Sequence, residues 1–493
     1  MAQIPVTIDG QLVLAQAGET LLEVARRIGI RIPTLCHVAQ LTPLDTCLVC
    51  VVQVAGQDAL VPSCATPVAA GMEVRTDSQR VLSARRGAIE LLLSEHTGEC
   101  LAPCQIACPA GLDIPEFLQT LPTDAPAAAL LALRGLALPS TLGWICNAPC
   151  ERACRREELD QPIEIRRLHR LVTADGQPMP GAEPPTFAVG PPTGKHVAVV
   201  GSGPAGLAAA LRLLLHGHEC TLFELQNQLG GMLRGLDAET LPVPVLEADL
   251  AVLRDLGVRQ RLGVGVGADL PLPALLTQFD AVVLATGAAA DAPTNQDPKV
   301  FRAGAAAGHA GLAVRVVADG LAVADRVDRL LMAKPAPPER IRVRYGELDD
   351  DGRAFVHRGQ HAQAPQPMAA ASRQAEAMRC LACGCEGHDT CSLRTIGGEV
   401  GATPRRFGGA HRPLLRDDSH PDLVYESHKC ILCQACVRLC EPTAEHAGLT
   451  VAGRGFDSRV TAPYDQPLAQ ALDAETARRL ADACPTSAMR RKR

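Results

Sequence analysis

From Val6 to Leu14 apolar and polar residues alternate on both sides of Asp9-Gly10, the pattern of two strands joined by a tight turn. The period then lengthens. Leu21, Leu22, Ala25 and Ile28 fall on one face of a short helix over Glu19–Ile28, which Gly29 stops. Val51–Val54 is a further strand, and Ala125–Leu138 is an Ala/Leu-rich amphipathic helix closed by Pro139. His196–Val200 reads as a buried strand, a glycine-rich turn follows, and Leu207–Leu215 continues as helix. Thr221–Glu224 ends the next strand, and Ala313–Leu331 is a long helix ahead of the proline-rich linker Lys334–Glu339. The chain is expected to be multidomain, α+β at its start and α/β in its middle.

At 493 residues there is length for several domains with buried cores. A net charge of −6 leaves no basic patch for nucleic acid, and Arg490–Arg493 reads as a solvated tail. Aromatic residues make up 2% of the chain, too few for broad stacking surfaces on bases or sugars. Met1–Gly10 lacks the charged-then-apolar pattern of a secretory signal. The most apolar long window, His196–Leu215, is interrupted by Gly201, Pro204 and Arg212. The expectation is a cytoplasmic protein without a membrane span. Cysteine changes the picture more. All of the 20 cysteines except Cys220 lie in groups with short spacings. Disulfide frameworks of that density belong to small secreted domains. The groups are therefore read as metal ligands, and Cys220, within a strand, as core.

The first group is Cys36, Cys47, Cys50 and Cys64, three in a loop ahead of Val51–Val54 and one from a later loop. Four thiolates on a small β-grasp-like frame suit a [2Fe–2S] cluster. Ile30–His37, Cys47–Cys50, Ser63–Pro67 and Gly71–Val74 resemble the N-terminal domain of the large iron–sulfur subunit of respiratory complex I, a module shared with NAD-linked formate dehydrogenases and hydrogenases. Leu48 stands where that family usually has arginine.

The second group opens with His96, Cys100, Cys104 and Cys108, one ligand type every fourth residue. On a continuous helix residues 96–108 would span roughly 18 Å, far longer than one cluster. Either the chain coils around one cluster, which Gly98 and Pro103 permit, or the ligands are divided between two. Cys104–Pro115 followed by Cys146, Cys150 and Cys154 resembles the helical domain of the glutamate synthase small subunit and dihydropyrimidine dehydrogenase. That resemblance implies two [4Fe–4S] clusters with crossed ligation: His96, Cys100, Cys104 and Cys154 on one, and Cys108, Cys146, Cys150 and His169 on the other. His169 is placed by the match of Ile163–His169. Cys104 and Cys108 would then serve different clusters.

Gly201, Gly203 and Gly206 form a dinucleotide turn opening a helix, and Glu224 ends the next strand, placed to bond a ribose hydroxyl. With Gly230, Gly231, Thr286 and Gly287 they resemble the FAD half of the glutamate synthase small subunit. In that family an NADPH-binding domain is inserted. Here only residues 288–300 separate Gly287 from Phe301, too few for a βαβ unit of about thirty residues. Ala305 replaces an aspartate that contacts the flavin. No NAD(P)H site is expected, and FAD binding and a purely structural fold both stay open.

Cys380, Cys383, Cys385 and Cys391 form a compact loop that suits [4Fe–4S] or zinc. Similar stretches follow the flavin domain in iron–sulfur flavoproteins that accompany molybdopterin oxidoreductases. Cys430, Cys433, Cys436 and Cys440 form a bacterial-ferredoxin run. In its partner run only Cys484 survives, the other places holding Ala474, Ala477 and Leu480, so one cluster is expected on Cys430, Cys433, Cys436 and Cys484. Cys440 has no assigned role. The expected order is a [2Fe–2S] ferredoxin (1–78), a helical [4Fe–4S] domain (79–190), a reduced Rossmann-type FAD-like domain (191–333), a linker with a four-cysteine site (334–427) and a ferredoxin-like domain (428–493). The resemblances imply an electron-transfer subunit of an oxidoreductase, its partner a molybdopterin-type formate dehydrogenase catalytic subunit. A self-contained iron–sulfur flavoprotein, a hydrogenase subunit and a zinc-bearing scaffold are the rivals.

Overall fold

The computed structural model describes residues 3–180, 188–287, 297–345, 348–358, 373–440 and 448–492. Nine of the thirteen residues between Gly287 and Phe301, positions 288–296, lie outside the described residues. The chain forms two compact units. The first comprises residues 1–101, 337–356 and 384–493, the second residues 102–336 and 357–383.

In the first unit Gln3–Ile8 and Gln11–Gln16 pair antiparallel, with Ile8 opposite Gln11. Asp9 and Gly10 both take positive φ, 48° and 83°, as a two-residue turn between twisted strands requires. The strands run in the order Gln11–Gln16, Gln3–Ile8, Met72–Arg75, Val51–Val54, Val61–Pro62. Met72–Arg75 is parallel to Gln3–Ile8. Thr20 caps the helix Leu21–Arg27 through a capping box with Glu23, so this helix starts later than its apolar spacing alone suggests. It buries Leu21, Leu22, Val24 and Ala25 against the sheet's inward face. The C-terminal part holds a three-stranded antiparallel sheet, Arg416–Asp417, Leu423–Glu426 and Met489–Arg491. Cys440, Ala477 and Leu480 are buried together in its core. The space where the lost second ferredoxin cluster would sit is packed with small and aliphatic side chains, which gives Cys440 a place in packing.

The second unit begins with short helices, Ile114–Thr120, Ala125–Leu136 and Pro139–Ile145. Pro139 opens the third of these instead of merely closing the run before it. Asp249 is buried and accepts from the Ser140 and Thr141 amides at 3.3 and 2.7 Å, satisfying the exposed amides of that helix. Burial pushes the Asp249 carboxyl up to about 6, against these hydrogen bonds. A raised folded-state pKa favours the folded state below the unfolded pKa and loses that contribution as pH rises through about 6. Stability relative to Asp249→Asn is therefore expected to fall by roughly 1–2 kcal/mol between about pH 5 and 7.5. Denaturation midpoints of the two chains across that range check it.

A five-stranded parallel sheet follows, ordered Val300–Arg302, Ala281–Leu284, His196–Val200, Glu219–Glu224, Arg259–Leu262. Strand order reverses beside His196–Val200, the place where open α/β sheets bind ligands. Pro204–Leu215 and Ala313–Leu331 pack closely because Gly320 faces the Ala205 backbone, where an added Cβ would lie 2.2 Å from the carbonyl oxygen. Helical part and sheet share one apolar core. Cys220 is buried there. Among the described residues no single helix is long and apolar enough to cross a membrane.

Candidate metal centres and a dinucleotide turn

Cys36, Cys47, Cys50 and Cys64 are all buried. They gather as two close pairs. Cys50 and Cys64 have sulfurs 3.3 Å apart, and the Cys36 and Cys47 thiols hydrogen-bond to each other. The bond from Cys47 draws Cys36 down to about 6, and that from Cys64 draws Cys50 down to about 7, while Cys47 and Cys64 are pushed up. Each pair could hold one iron. Two thiolates per iron is the donor set of a two-iron cluster. Leu48, between the pairs, is exposed with φ 52°.

The stretch from His96 to Cys108 is not one helix. Helix Gln79–Glu95 ends at His96, Gly98 takes φ 144°, and Pro103 opens a separate turn, Pro103–Ala107. Cys100 is held by Val343: its amide donates to the Val343 carbonyl at 3.0 Å and its sulfur accepts from the Val343 amide at 3.3 Å. Arg394 donates to the carbonyls of Ile341 and His388, both at 2.9 Å, tying the segment after Cys385 to the same place. The result is a small cavity lined by His96, Cys100, Cys385 and Cys391, with Arg394 and Lys429 in its wall. The buried His96 Nδ1 has no hydrogen-bond partner among the described residues. Burial, then the Lys429 charge, lowers His96 to about 4, so the ring is neutral and able to donate a lone pair.

In the second unit Cys108, Cys146, Cys150 and His169 line a small cavity. Cys146 ends the helix Pro139–Ile145, and Ala148, at φ 48°, turns the chain into the short helix carrying Cys150. His169 is buried, with Nδ1 2.9 Å from the Pro139 carbonyl. A carbonyl only accepts, so Nδ1 carries the proton and Nε2 keeps its lone pair.

Cys104 is raised well above the usual thiol range by burial and then by the Cys383, Cys380, Cys154 and Cys150 thiols. The segment bearing Cys380 is fixed by buried ion pairs. Arg379 reaches Asp160 at 2.9 Å and Glu376 at 2.7 Å, and Arg156 binds Asp160 at 2.8 and 2.6 Å. The structure brings His96 and Cys100 together with Cys385 and Cys391 around one cavity, and it places Cys380 and Cys383 in the second unit with Cys104 and Cys154. The reason is the chain path, which passes from the second unit to the first after Cys383.

Cys430, Cys433, Cys436 and Cys484 line a small cavity. The amides of Leu432 and Met489 point at the Cys430 and Cys484 sulfurs, 3.3 and 3.4 Å away. Burial pushes Cys380 and Cys433 up to about 12 and Cys430 to about 11. Such thiols ionise only beside a strong positive charge, which iron supplies. One zinc ion needs its thiolates within about 4 Å of each other. Among the described residues no three His, Cys, Asp or Glu side chains gather tightly enough for a single ion. The wider rings around cavities suit a larger group.

At the dinucleotide turn Gly201 has φ 97°, and a Cβ on Gly206 would lie 1.9 Å from the Gly201 carbonyl oxygen. Gly203 precedes the helix Pro204–Leu215. Glu224 accepts from the Ser202 amide at 2.8 Å and hydroxyl at 2.5 Å, and the Gly230 amide donates to the same hydroxyl at 3.0 Å. Gly231 packs against Gly203. Gly287 has φ 76°, and the buried Thr286 Oγ1 has no partner among the described residues. Glu224 retains lone pairs and Thr286 an unused hydroxyl, so the turn fits a nucleotide. At the position of Ala305, the Gly304 amide donates to Asp319 at 2.6 Å.

Residues 1–79 match a 2Fe-2S iron-sulfur cluster binding domain, and residues 94–179 match dihydropyrimidine dehydrogenase domain II, 4Fe-4S cluster. The chain is an iron–sulfur protein. Residues 199–245 match an NAD(P)-binding Rossmann-like domain. The NADP(+)-dependent formate dehydrogenase subunit beta of Moorella thermoacetica is 36% identical over 208 residues, 38% of this chain and 29% of the relative. The NADPH-Fe(3+) oxidoreductase subunit beta of Geobacter sulfurreducens is 37% identical over 38% of this chain and 28% of its own. The Glutamate synthase [NADPH] small chain of Mycobacterium tuberculosis is 37% identical over 39% of this chain and 40% of its own. The chain thus spans less than half the length of these relatives.

Proposed function

We propose that this chain is an electron-transfer subunit of a multi-subunit oxidoreductase, holding one [2Fe–2S] and four [4Fe–4S] clusters. One observation carries the reading: sets of buried and half-buried cysteines recur along one chain, and in the first unit three of them share a single apolar cluster. Cys36, Cys47 and Cys391 are buried in it, and Cys100 and Cys433 pack against it. Bound clusters supply one-electron transfer. The chain's residues ligate them, keep out water and fix their order. Relatives named as beta subunits of a formate dehydrogenase and of an NADPH-Fe(3+) oxidoreductase support a subunit role. The partner in this reading is the catalytic subunit of a molybdopterin-type formate dehydrogenase.

Anaerobic purification of the native complex, with assays for iron, sulfide, flavin and molybdenum, tests it. About 18 iron atoms per chain are expected, two from the [2Fe–2S] centre and four from each of the others, with molybdenum in a co-purifying subunit. A chain with only two irons and abundant zinc would end the reading. The dinucleotide turn and the unpartnered Thr286 hydroxyl favour a second reading, a self-contained flavoprotein. Bleaching of a bound flavin on mixing with NADH or NADPH would establish that alternative; no bleaching is expected.

A further inference from the structure

The cysteines nearest the crossings between the two units divide by unit. The chain leaves the first unit after Leu101 and re-enters it for good at Gly384. Read within that unit, His96, Cys100 and Leu101 are followed by residues 337–356 and then by Gly384, Cys385 and Cys391. Val343, in the segment that returns between them, bonds Cys100 through both its amide and its carbonyl. The second unit shows the complement. It enters at Ala102, two residues before Cys104, and ends on Cys383. Inserted units carry their two ends close together, and the Arg379 and Arg156 ion pairs to Asp160 hold the Cys380 segment against the turn after Cys154.

We propose that the second unit interrupts a single cluster-binding motif of the first. His96, Cys100, Cys385 and Cys391 ligate one [4Fe–4S] cluster, and Cys104, Cys154, Cys380 and Cys383 ligate a different one. The cavity lined by the first set and the unpartnered His96 Nδ1 are the observations that carry it. It rests on the iron–sulfur reading and goes beyond it in three ways. Each unit holds complete ligand sets, with no cluster shared. The residues from His96 to Cys108 serve three clusters, not two. Two of the four covalent connections between the units also join a ligand of one cluster to a ligand of the other: Cys100 to Cys104, and Cys383 to Cys385 with Gly384 alone between them.

The test compares Cys380→Ser and Cys385→Ser with Cys104→Ser and Cys100→Ser in the full chain. All are purified anaerobically, then read by iron content and by low-temperature electron paramagnetic resonance after reduction. Cys385→Ser should lose or alter the signal that Cys100→Ser alters, and Cys380→Ser the signal that Cys104→Ser alters, each with loss of up to about four irons. Identical changes in Cys380→Ser and Cys385→Ser would overturn the proposal. His96→Cys, which supplies a thiolate in place of the imidazole, keeps the question open to test if a serine variant fails to fold. It should retain the iron while removing nitrogen hyperfine coupling from the signal that depends on Cys100. Persistence of that coupling would also overturn it. A wild-type chain poor in iron would instead remove the iron–sulfur reading itself, so the two failures are distinguishable.

Discussion

Glu426→Ala is expected to destabilise the first unit by roughly 3–5 kcal/mol, because it strips the anion from a buried charge network. Strand Leu423–Glu426 pairs antiparallel with Met489–Arg491, Val424 lying opposite Arg490, and this register brings the Glu426 carboxylate beneath the Arg490 guanidinium. Glu426 is 2% exposed, Lys429 5% and Arg490 6%. The carboxylate accepts from Arg490 at 3.0 Å, from Arg416 at 3.3 Å, and from Lys429. Burial by itself would push the Glu426 carboxyl up; the Lys429 and Arg490 charges outweigh it and hold the group well below the usual carboxylate range. A depressed folded-state pKa contributes stability above the unfolded pKa and loses it as pH falls. The penalty should therefore be largest at neutral pH and shrink in acid. Glu426→Gln, which keeps the shape, should recover only part of it, since the cations remain buried without a counter-charge. Denaturation midpoints under anaerobic conditions read both. A loss under about 1 kcal/mol in Glu426→Ala would mean the network is screened like a surface pair. Lys429 also lines the cavity of His96, Cys100, Cys385 and Cys391. Freeing its charge should favour the reduced form of a cluster bound there, a shift that a redox titration would detect.

What could be read along the chain was local. The Asp9-Gly10 turn, strand Val51–Val54 and helix Ala313–Leu331 are found at their expected places because alternation, turn residues and helical spacing act within a few residues. The parallel sheet after residue 196 follows from the same rules, and Gly201, Gly206 and Glu224 meet at its turn. The sets of cysteines were legible as metal ligands by spacing, yet spacing could not say which thiols meet. Cys383 and Cys385 are two positions apart and belong to different units, whereas His96 and Cys385 share a cavity across nearly three hundred residues. Contacts of that separation depend on how the intervening unit folds back on itself. A resemblance that covers only one of the two units carries no information about the ligands the other supplies. The proton position on His169 was equally out of reach, since it depends on a carbonyl, Pro139, from another helix. Cys440 completes a ferredoxin run in sequence without an assigned role, and Ala477 and Leu480, which stand in ligand places there, are buried with it in one core.

Arg379→Ala should have a comparable effect in the second unit, roughly 3–5 kcal/mol, with a more selective consequence for the metal. The helix Arg373–Met378 delivers Arg379 to a site where Asp160 is 6% exposed by side chain and Glu376 10%. Its guanidinium donates to Asp160 at 2.9 Å, to both Glu376 oxygens at 2.7 Å and to the Gln161 carbonyl at 2.7 Å. Its own carbonyl accepts from Arg156 at 3.3 Å. Alanine removes the cation bridging two carboxylates in a poorly solvated place and frees the backbone just before Cys380. Cys380 and Cys383 would then lose their fixed approach to Cys104 and Cys154. The expected result is a lower denaturation midpoint together with loss of about four irons and of the signal altered in Cys104→Ser, while the signal altered in Cys385→Ser stays. Arg379→Lys should rescue only partly, since a single ammonium cannot span the planar, five-donor arrangement that a guanidinium makes. Should Arg379→Ala instead disturb the centre that depends on Cys385, the ion-pair clamp would be serving the other unit's site, and the division of the late cysteines would have to be redrawn.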